Sequence, residues 1–105
     1  GEGINNEIAS GNLAVIDDIH EDLKLFSAGE ILVIKHTTDE ILQVIKHAAA
    51  IITEEDKDDS KAAIVGKALD IPVLTGVQNA TEILKSGIVV TVNSKKGIVF
   101  NGLKE

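Results

Sequence analysis

Short apolar runs separated by polar segments are the main pattern along this chain of 105 residues. Runs of about four residues rich in Ile, Val, Leu and Ala are typical of strands buried on both faces, as in parallel sheets. The stretch 1–11 is polar and contains glycine, so it predicts a loop with room for one short strand. The apolar runs predict strands at 13–16, 31–34, 50–53, 73–74, 88–92 and 98–101.

Helical patterns lie between the early strands. A short helical turn is predicted at 19–26, and it ends at a Ser-Ala-Gly sequence. Thr37 followed by Glu40 matches a capping box, which predicts a helix from that point to about Ala48. The apolar positions of this helix form one broad face made of Ile41, Leu42, Val44, Ile45, Ala48 and Ala49.

Two further helices and a hairpin are predicted in the second half of the chain. A helix at 61–69, capped by Asp59 or Ser60, carries small residues that suit close packing on a sheet. Asn79 or Thr81 caps a short helix that runs through Leu84, and residues 93–97 form a hairpin turn. Alternating strands and helices favour an α/β fold with a partly parallel sheet, to which the last hairpin adds antiparallel pairing.

Composition narrows the possible functions. Hydrophobic residues make up 44% of the chain, so we expect a folded protein, and its length fits a single domain, 1–105. The net charge of −7 argues against nucleic acid and anionic membranes as partners. The absence of cysteine excludes disulfides and thiolate metal sites. No run approaches the roughly 18 apolar residues of a membrane span, and a cytoplasmic setting is expected. A chain that lacks Met and opens at Gly1 is expected to be a fragment of a longer protein.

The segment 54–66 carries the most specific pattern. It reads Glu-Glu-Asp-Lys-Asp-Asp-Ser-Lys-Ala-Ala-Ile-Val-Gly. Without a gap, it resembles the signature E-E-G-G-x-T-S-H-A-A-V-V-G of the phosphohistidine, or swivelling, domain of phosphoenolpyruvate-utilising enzymes. Similar stretches cover nearly the whole chain: 29–33, 48–55, 71–73, 76–81, 87–92 and 97–100. Within this family, residues 77–81 and the tail most resemble the extra C-terminal domain of bacterial pyruvate kinases.

The resemblance implies a three-layer β/β/α domain with mixed parallel and antiparallel sheets. It also implies a parent enzyme, a homotetrameric pyruvate kinase, in which this domain packs on the remaining domains or subunits. In such a parent, phosphoryl transfer between phosphoenolpyruvate and ADP takes place in a separate barrel domain that uses magnesium and potassium. No cofactor and no metal site is expected in the present chain.

The chain departs from the family signature at the residues that carry its chemistry. Lys61 replaces the phosphorylated histidine, Asp56 and Lys57 replace two glycines, Asp59 replaces threonine, and only Ser60 is kept. Phosphohistidine chemistry needs a neutral nucleophilic imidazole, whereas lysine side chains are normally protonated near pH 7. Glycines let backbone N–H groups approach a phosphate, and a loop rich in acids repels one. We therefore predict degenerate site positions and no catalytic residue.

Several other interpretations stay open at this point. Lys61 is interpreted as a solvated lysine, with an anion-binding role as the alternative. The acidic loop is a solvated helix cap, a weak divalent-cation site or a docking surface. The spacing of His20, His36 and His47 matches no metal motif, so we expect surface histidines. For the domain, a non-catalytic structural or regulatory role is preferred over an active phosphocarrier or phosphotransferase domain, or a free-standing acidic adaptor.

Overall fold

The computed structural model describes residues 2–3, 7–17, 19–55 and 61–101. Within these ranges the chain forms strands, short helices and one 3₁₀ turn in an alternating order. The elements are β1 Glu2–Gly3, β2 Ile8–Val15, α1 Ile19–Leu25, β3 Ile31–Ile34, α2 Asp39–Leu42, the 3₁₀ turn Ile45–His47, β4 Ala50–Thr53, α3 Lys61–Leu69, β5 Val73–Thr75, α4 Ala80–Ile83, β6 Val89–Asn93 and β7 Ile98–Asn101.

The strands pair in the order β1-β5-β4-β3-β2-β6-β7. Strands β2 to β5 run parallel to one another, and β1 pairs antiparallel with β5 at one end. At the other end β6 and β7 are antiparallel. Strand β2 joins the two arrangements, because residues 13–15 pair with β3 and residues 8–12 pair with β6. The predicted mixture of parallel and antiparallel pairing is confirmed.

Two apolar clusters on opposite faces of the parallel strands define three layers. Successive strand residues point to opposite faces, so Leu32 and Ile51 join one cluster while Val33 and Ile52 join the other. The first cluster includes residues of α2, the 3₁₀ turn and α3, and the second includes Val90 and Val92 from β6. Helices α2 and α3 and the 3₁₀ turn therefore cover one face, while the antiparallel strands and the short helix α4 cover the other. This arrangement confirms the predicted three-layer β/β/α fold.

Helix α3 packs closely on the sheet because its inward face consists of small residues. Ala62, Ala63 and Gly66 are buried, as the sequence predicts. A Cβ atom added to Gly66 would lie 2.1 Å from Cγ2 of Val73 in β5, far inside van der Waals contact. The glycine thus allows the helix axis to approach the strand.

The prediction of a loop at residues 1–11 is wrong for its second half. Strand β2 begins at Ile8 and runs eight residues, with Ile8 opposite Asn93 and Gly11 opposite Val90. Gly11 lies inside this strand and interrupts its apolar pattern, yet glycine is required at that position. A Cβ atom on Gly11 would lie 2.7 Å from the carbonyl oxygen of Gly29. The strand forms because of a distant partner, and local sequence does not reveal that partner.

The predicted capping box at Thr37 is displaced by one residue. Thr38 is the N-cap, and its hydroxyl accepts a hydrogen bond from the N–H of Ile41 at 3.3 Å. The helix ends at Leu42, and the chain continues through a 3₁₀ turn instead of reaching Ala48 as one helix. The apolar face is nevertheless placed as predicted, since Ile41, Ile45 and Ala48 are buried.

Helix α4 also starts without the predicted side-chain cap. Asn79 occupies the N-cap position in the left-handed region, with φ of 58°, and makes no side-chain cap hydrogen bond. The hairpin between β6 and β7 is confirmed. Its turn is held by the N–H of Lys96, which donates to Oδ1 of Asn93 at 3.1 Å, and Gly97 supplies a φ of 70°. The predicted bounds of β5 and α4 each differ by one residue at one end, and β6 is shifted by one residue at both ends.

Candidate functional site

The signature segment lies at the carboxyl end of β4 and the start of α3. Lys61 is the first residue of α3, as predicted. Its Nζ lies 3.8 Å from Oδ1 of Asp39, the first residue of α2, and the two side chains are 64% and 89% exposed. An ion pair this exposed contributes at most about 1 kcal/mol, because water screens it and two long side chains must be ordered. The position that aligns with the family histidine therefore holds a well-solvated ammonium group.

Four of the predicted degenerate positions lie outside the described residues. These are Asp56, Lys57, Asp59 and Ser60, and the predicted Asp59 or Ser60 cap lies there as well. Their assignment stays a prediction from the sequence.

Glu54, the first residue of the signature, connects β4 to α4. Its Oε2 accepts hydrogen bonds from the backbone N–H of Thr81 at 2.9 Å and from the Thr81 hydroxyl at 2.8 Å. Its own N–H donates to the carbonyl of Ile34 in β3 at 3.0 Å. The carboxylate thus satisfies the start of α4, where Asn79 provides no side-chain cap. This role explains why Thr81 does not cap α4 itself.

These contacts lower the pKa of Glu54. The backbone N–H of Thr81 is the largest cause, and it acts against partial desolvation, which raises the pKa. The Thr81 hydroxyl and the charges of Lys35 and His36 lower the pKa further. The ionised carboxylate is therefore the form that the folded protein favours.

Glu55 makes a second set of connections from the same strand end. Its Oε1 accepts a hydrogen bond from the Thr37 hydroxyl at 2.7 Å and a longer one from the Thr53 hydroxyl at 3.4 Å. Its carbonyl accepts from the N–H of Gly76, in the loop after β5. Both glutamates of the signature are thus occupied by internal hydrogen bonds that join the loops after β3, β4 and β5.

Sequence reasoning missed this role for the two glutamates, which it assigned to a solvated acidic loop. The available signal was a set of three threonines: Thr53 ends β4, Thr37 follows β3, and Thr81 lies in the short helix that follows β5. Carboxyl ends of parallel strands lie at one edge of the sheet, so these hydroxyls can meet carboxylates there.

We expect Glu54→Gln to destabilise the protein by about 1 kcal/mol at pH 7, because neutral amides accept hydrogen bonds more weakly than carboxylates and the site is partly solvated. Because folding lowers the pKa of Glu54, the ionised carboxylate stabilises the folded protein at pH values above the ordinary pKa of glutamate. This stabilisation is lost as the pH falls through the lowered pKa. The difference between wild type and variant should therefore shrink below about pH 4. Urea unfolding at pH 7 and pH 3 measures it, with the exposed Glu40→Gln as control. A difference that is constant with pH would contradict the assignment.

The histidines provide no metal centre among the described residues. His36 and His47 are exposed, in agreement with the surface role expected from their spacing. Within the described ranges no group of three or more His, Cys, Asp or Glu side chains is placed to hold a metal ion. In those same ranges no helix combines the length and the apolar character needed to cross a membrane.

Two solved structures of differently named proteins share this fold. The chain superposes on Enzyme I with a TM-score of 0.63 and 23% identity, over 76% of this chain and 33% of that one. It superposes on aconitase X of Thermococcus kodakaraensis with a TM-score of 0.69 and 23% identity, over 98% and 96%. Likeness at this identity supports the fold alone.

Curated relatives include two kinds of enzyme. A pyruvate kinase of Bacillus licheniformis is 41% identical over 97% of this chain and 17% of its own length. A probable phosphoenolpyruvate synthase of Archaeoglobus fulgidus is 43% identical over 97% of this chain and 13% of its own length. The chain thus spans less than a fifth of these relatives. The family model of the PEP-utilising enzyme mobile domain matches residues 26–97. The chain belongs to the family of mobile domains of PEP-utilising enzymes.

Proposed function

We propose that this chain is a non-catalytic structural or regulatory domain of a larger enzyme, a pyruvate kinase, in which it carries no phosphoryl group. The observation that carries the proposal is Lys61 at the position of the family's phosphorylated histidine. The exposed ammonium group of Lys61 next to Asp39 supports a solvent-facing role.

The hydrogen bonding of Glu54 and Glu55 supports a structural role for these two residues, which the family signature also keeps. Both carboxylates accept hydrogen bonds from threonines of neighbouring elements and act as structural connections. A region that is held together internally suits a scaffold. The predicted replacement of two glycines by Asp56 and Lys57 would further reduce the access of a phosphate to the backbone.

The parent enzyme is part of the proposal. Phosphoryl transfer between phosphoenolpyruvate and ADP would occur in a separate domain of a cytoplasmic homotetramer, with magnesium and potassium bound there. The present domain would contact other domains or subunits of that enzyme and adjust its stability or regulation. The names of relatives such as the Bacillus licheniformis enzyme support this assignment.

A second candidate is an active phosphocarrier domain. This candidate is retained because a relative named probable phosphoenolpyruvate synthase matches 97% of this chain. It requires a phosphoryl acceptor other than the missing histidine, and Lys61 or one of the three histidines would have to serve.

Phosphorylation of the purified chain separates the two candidates. We expect neither wild type nor Lys61→His to gain acid-labile phosphate when incubated with phosphoenolpyruvate, Mg²⁺ and a phosphoenolpyruvate synthase that lacks its own mobile domain. The substitution returns an imidazole but leaves Asp56, Lys57 and Asp59 in the loop, where acids within about 10 Å repel a phosphate at physiological salt. Intact-mass measurement and peptide mapping provide the readout.

The positive control restores the whole signature. A variant that combines Lys61→His with Asp56→Gly, Lys57→Gly and Asp59→Thr should accept phosphate if the loop chemistry is as described. An increase of about 80 Da on wild type at Lys61 or at any histidine would reject the non-catalytic role and establish the phosphocarrier role.

A further inference from the structure

A cavity of about 140 Å³ opens at the carboxyl ends of β2 and β3. These strands are adjacent and parallel, so the residues that follow them lie side by side. In open α/β sheets, crevices outside the carboxyl ends of the strands are the usual ligand positions. The lining residues are Ile16, Asp17, Lys35, His36, Thr38 and Ile41.

The cavity has an apolar floor and a charged rim. Ile16 and Ile41 are 4% and 1% exposed and belong to the core on the helical side of the sheet. Asp17, Lys35 and His36 are exposed around the opening. The core fixes the floor in place, while the polar groups at the rim remain accessible to a ligand.

The rim carries opposite charges that do not form an ion pair with each other, although Lys35 and His36 also act on the carboxylate of Glu54. No other described residue forms an ion pair or side-chain hydrogen bond with the carboxylate of Asp17, the ammonium of Lys35 or the imidazole of His36. Only the backbone N–H of Asp17 is engaged, as a donor to Asp22 at 2.8 Å. Asp17 and Lys35 line the same cavity but do not form an ion pair with each other. Both can therefore interact with a ligand that carries a positive and a negative charge.

We infer that this cavity binds a small zwitterion, an α-amino acid with a short aliphatic side chain. Its carboxylate would pair with Lys35 and His36, its ammonium with Asp17, and its side chain would lie on Ile16 and Ile41. Asp17 would repel a ligand that carries only a negative charge, and Lys35 would repel a ligand that carries only a positive charge. A ligand with a single charge is therefore disfavoured at one side of the rim.

The apolar floor selects the side chain of the ligand. Ile16 and Ile41 are buried and offer contacts to an aliphatic side chain but no polar partner. The inference goes beyond the proposed function, because it uses residues of β2, β3 and α2 and does not depend on phosphorylation at Lys61.

A titration of the ¹⁵N-labelled chain with L-valine tests the inference. Saturable shifts are expected at the amides of Asp17, Lys35 and Thr38, with a Kd of about 1–10 mM, the range open to so small a ligand. Isovalerate, which lacks the ammonium group, and isobutylamine, which lacks the carboxylate, should bind at least about fivefold more weakly.

Charge-removing variants complete the test. Asp17→Asn and Lys35→Gln should each weaken L-valine binding about fivefold, while Lys67→Gln on the exposed side of α3 should leave it unchanged. The ¹⁵N spectra of the free variants verify that each is folded. Equal affinity for isovalerate and L-valine, an unchanged Kd in Asp17→Asn, or no saturable shift up to about 50 mM L-valine would each overturn the inference.

Discussion

Substitution of Gly66 by alanine should destabilise the protein by about 2 kcal/mol, although alanine is the better helix former. The added Cβ would lie 2.1 Å from Cγ2 of Val73 and 3.2 Å from the carbonyl oxygen of Ile71. Overpacking of a close contact costs about 1–3 kcal/mol or more, whereas the gain in helix propensity is about 1 kcal/mol. Urea unfolding monitored by circular dichroism measures the difference.

A double-mutant cycle identifies the contact that is responsible. Val73→Ala removes Cγ2 and by itself costs about 1–3 kcal/mol, because it leaves a cavity at a fully buried position. Combined with Gly66→Ala, it should be less destabilising than the sum of the two single changes by at least about 1 kcal/mol. Strict additivity would show that the close approach of α3 to β5 does not set the cost. Lys67→Ala, at the neighbouring exposed position, provides the control for helix propensity.

Ile52→Ala should destabilise the protein by about 2–5 kcal/mol, more than truncation of Val73, because a larger side chain is removed. Ile52 is fully buried in the central strand β4, opposite Val33 in β3 and Leu74 in β5, on the face that the antiparallel strands cover. Its truncation removes apolar contacts between two layers at once. Since small domains are stable by only about 5–15 kcal/mol, such a loss is a large part of the total.

Ile64→Ala is the matched control for this truncation. Ile64 is 58% exposed on α3, so the same change there should alter stability by no more than about 0.5 kcal/mol. Amide exchange adds a spatial readout, because Ile52→Ala should reduce protection of the β6 amides more than Ile64→Ala does. Equal effects of the two substitutions would contradict the layer assignment.

Helices and strands whose apolar or helical residue pattern is uninterrupted could be predicted from the sequence. The bounds of β3, β4, α3 and β7 match the prediction, because each is a short run whose character changes abruptly at both ends. Burial on both faces of β3 and β4 also follows from their unbroken apolar runs. The capping-box spacing favours Thr37, because Glu40 lies three residues after it, yet Thr38 is the cap and the Thr37 hydroxyl donates to Glu55 instead.

Features that depend on distant partners could not be predicted. The strand that starts at Ile8 exists through its pairing with β6, and the Ser10 and Thr91 hydroxyls that lie 2.7 Å apart are 81 positions apart in sequence. The contacts of Glu54 with Thr81 span 27 positions. A sequence shows that a carboxylate is present but not which hydroxyl the fold brings to it. The family and the place of Lys61 at the start of α3 were therefore predicted, while the structural use of the two glutamates was not.

The sharing of β2 between the parallel and antiparallel arrangements has a consequence for synthesis on the ribosome. The β6 partner of β2 is made about 80 residues later, as the 81-residue separation of Ser10 and Thr91 shows. At roughly 5–20 residues per second this delay lasts about 4–16 s. Throughout it, the backbone donors and acceptors of residues 8–12 lack their strand partner, and such an open edge invites pairing with other chains. Strand β2 is thus open to aggregation from its own synthesis until β6 emerges and pairs with it.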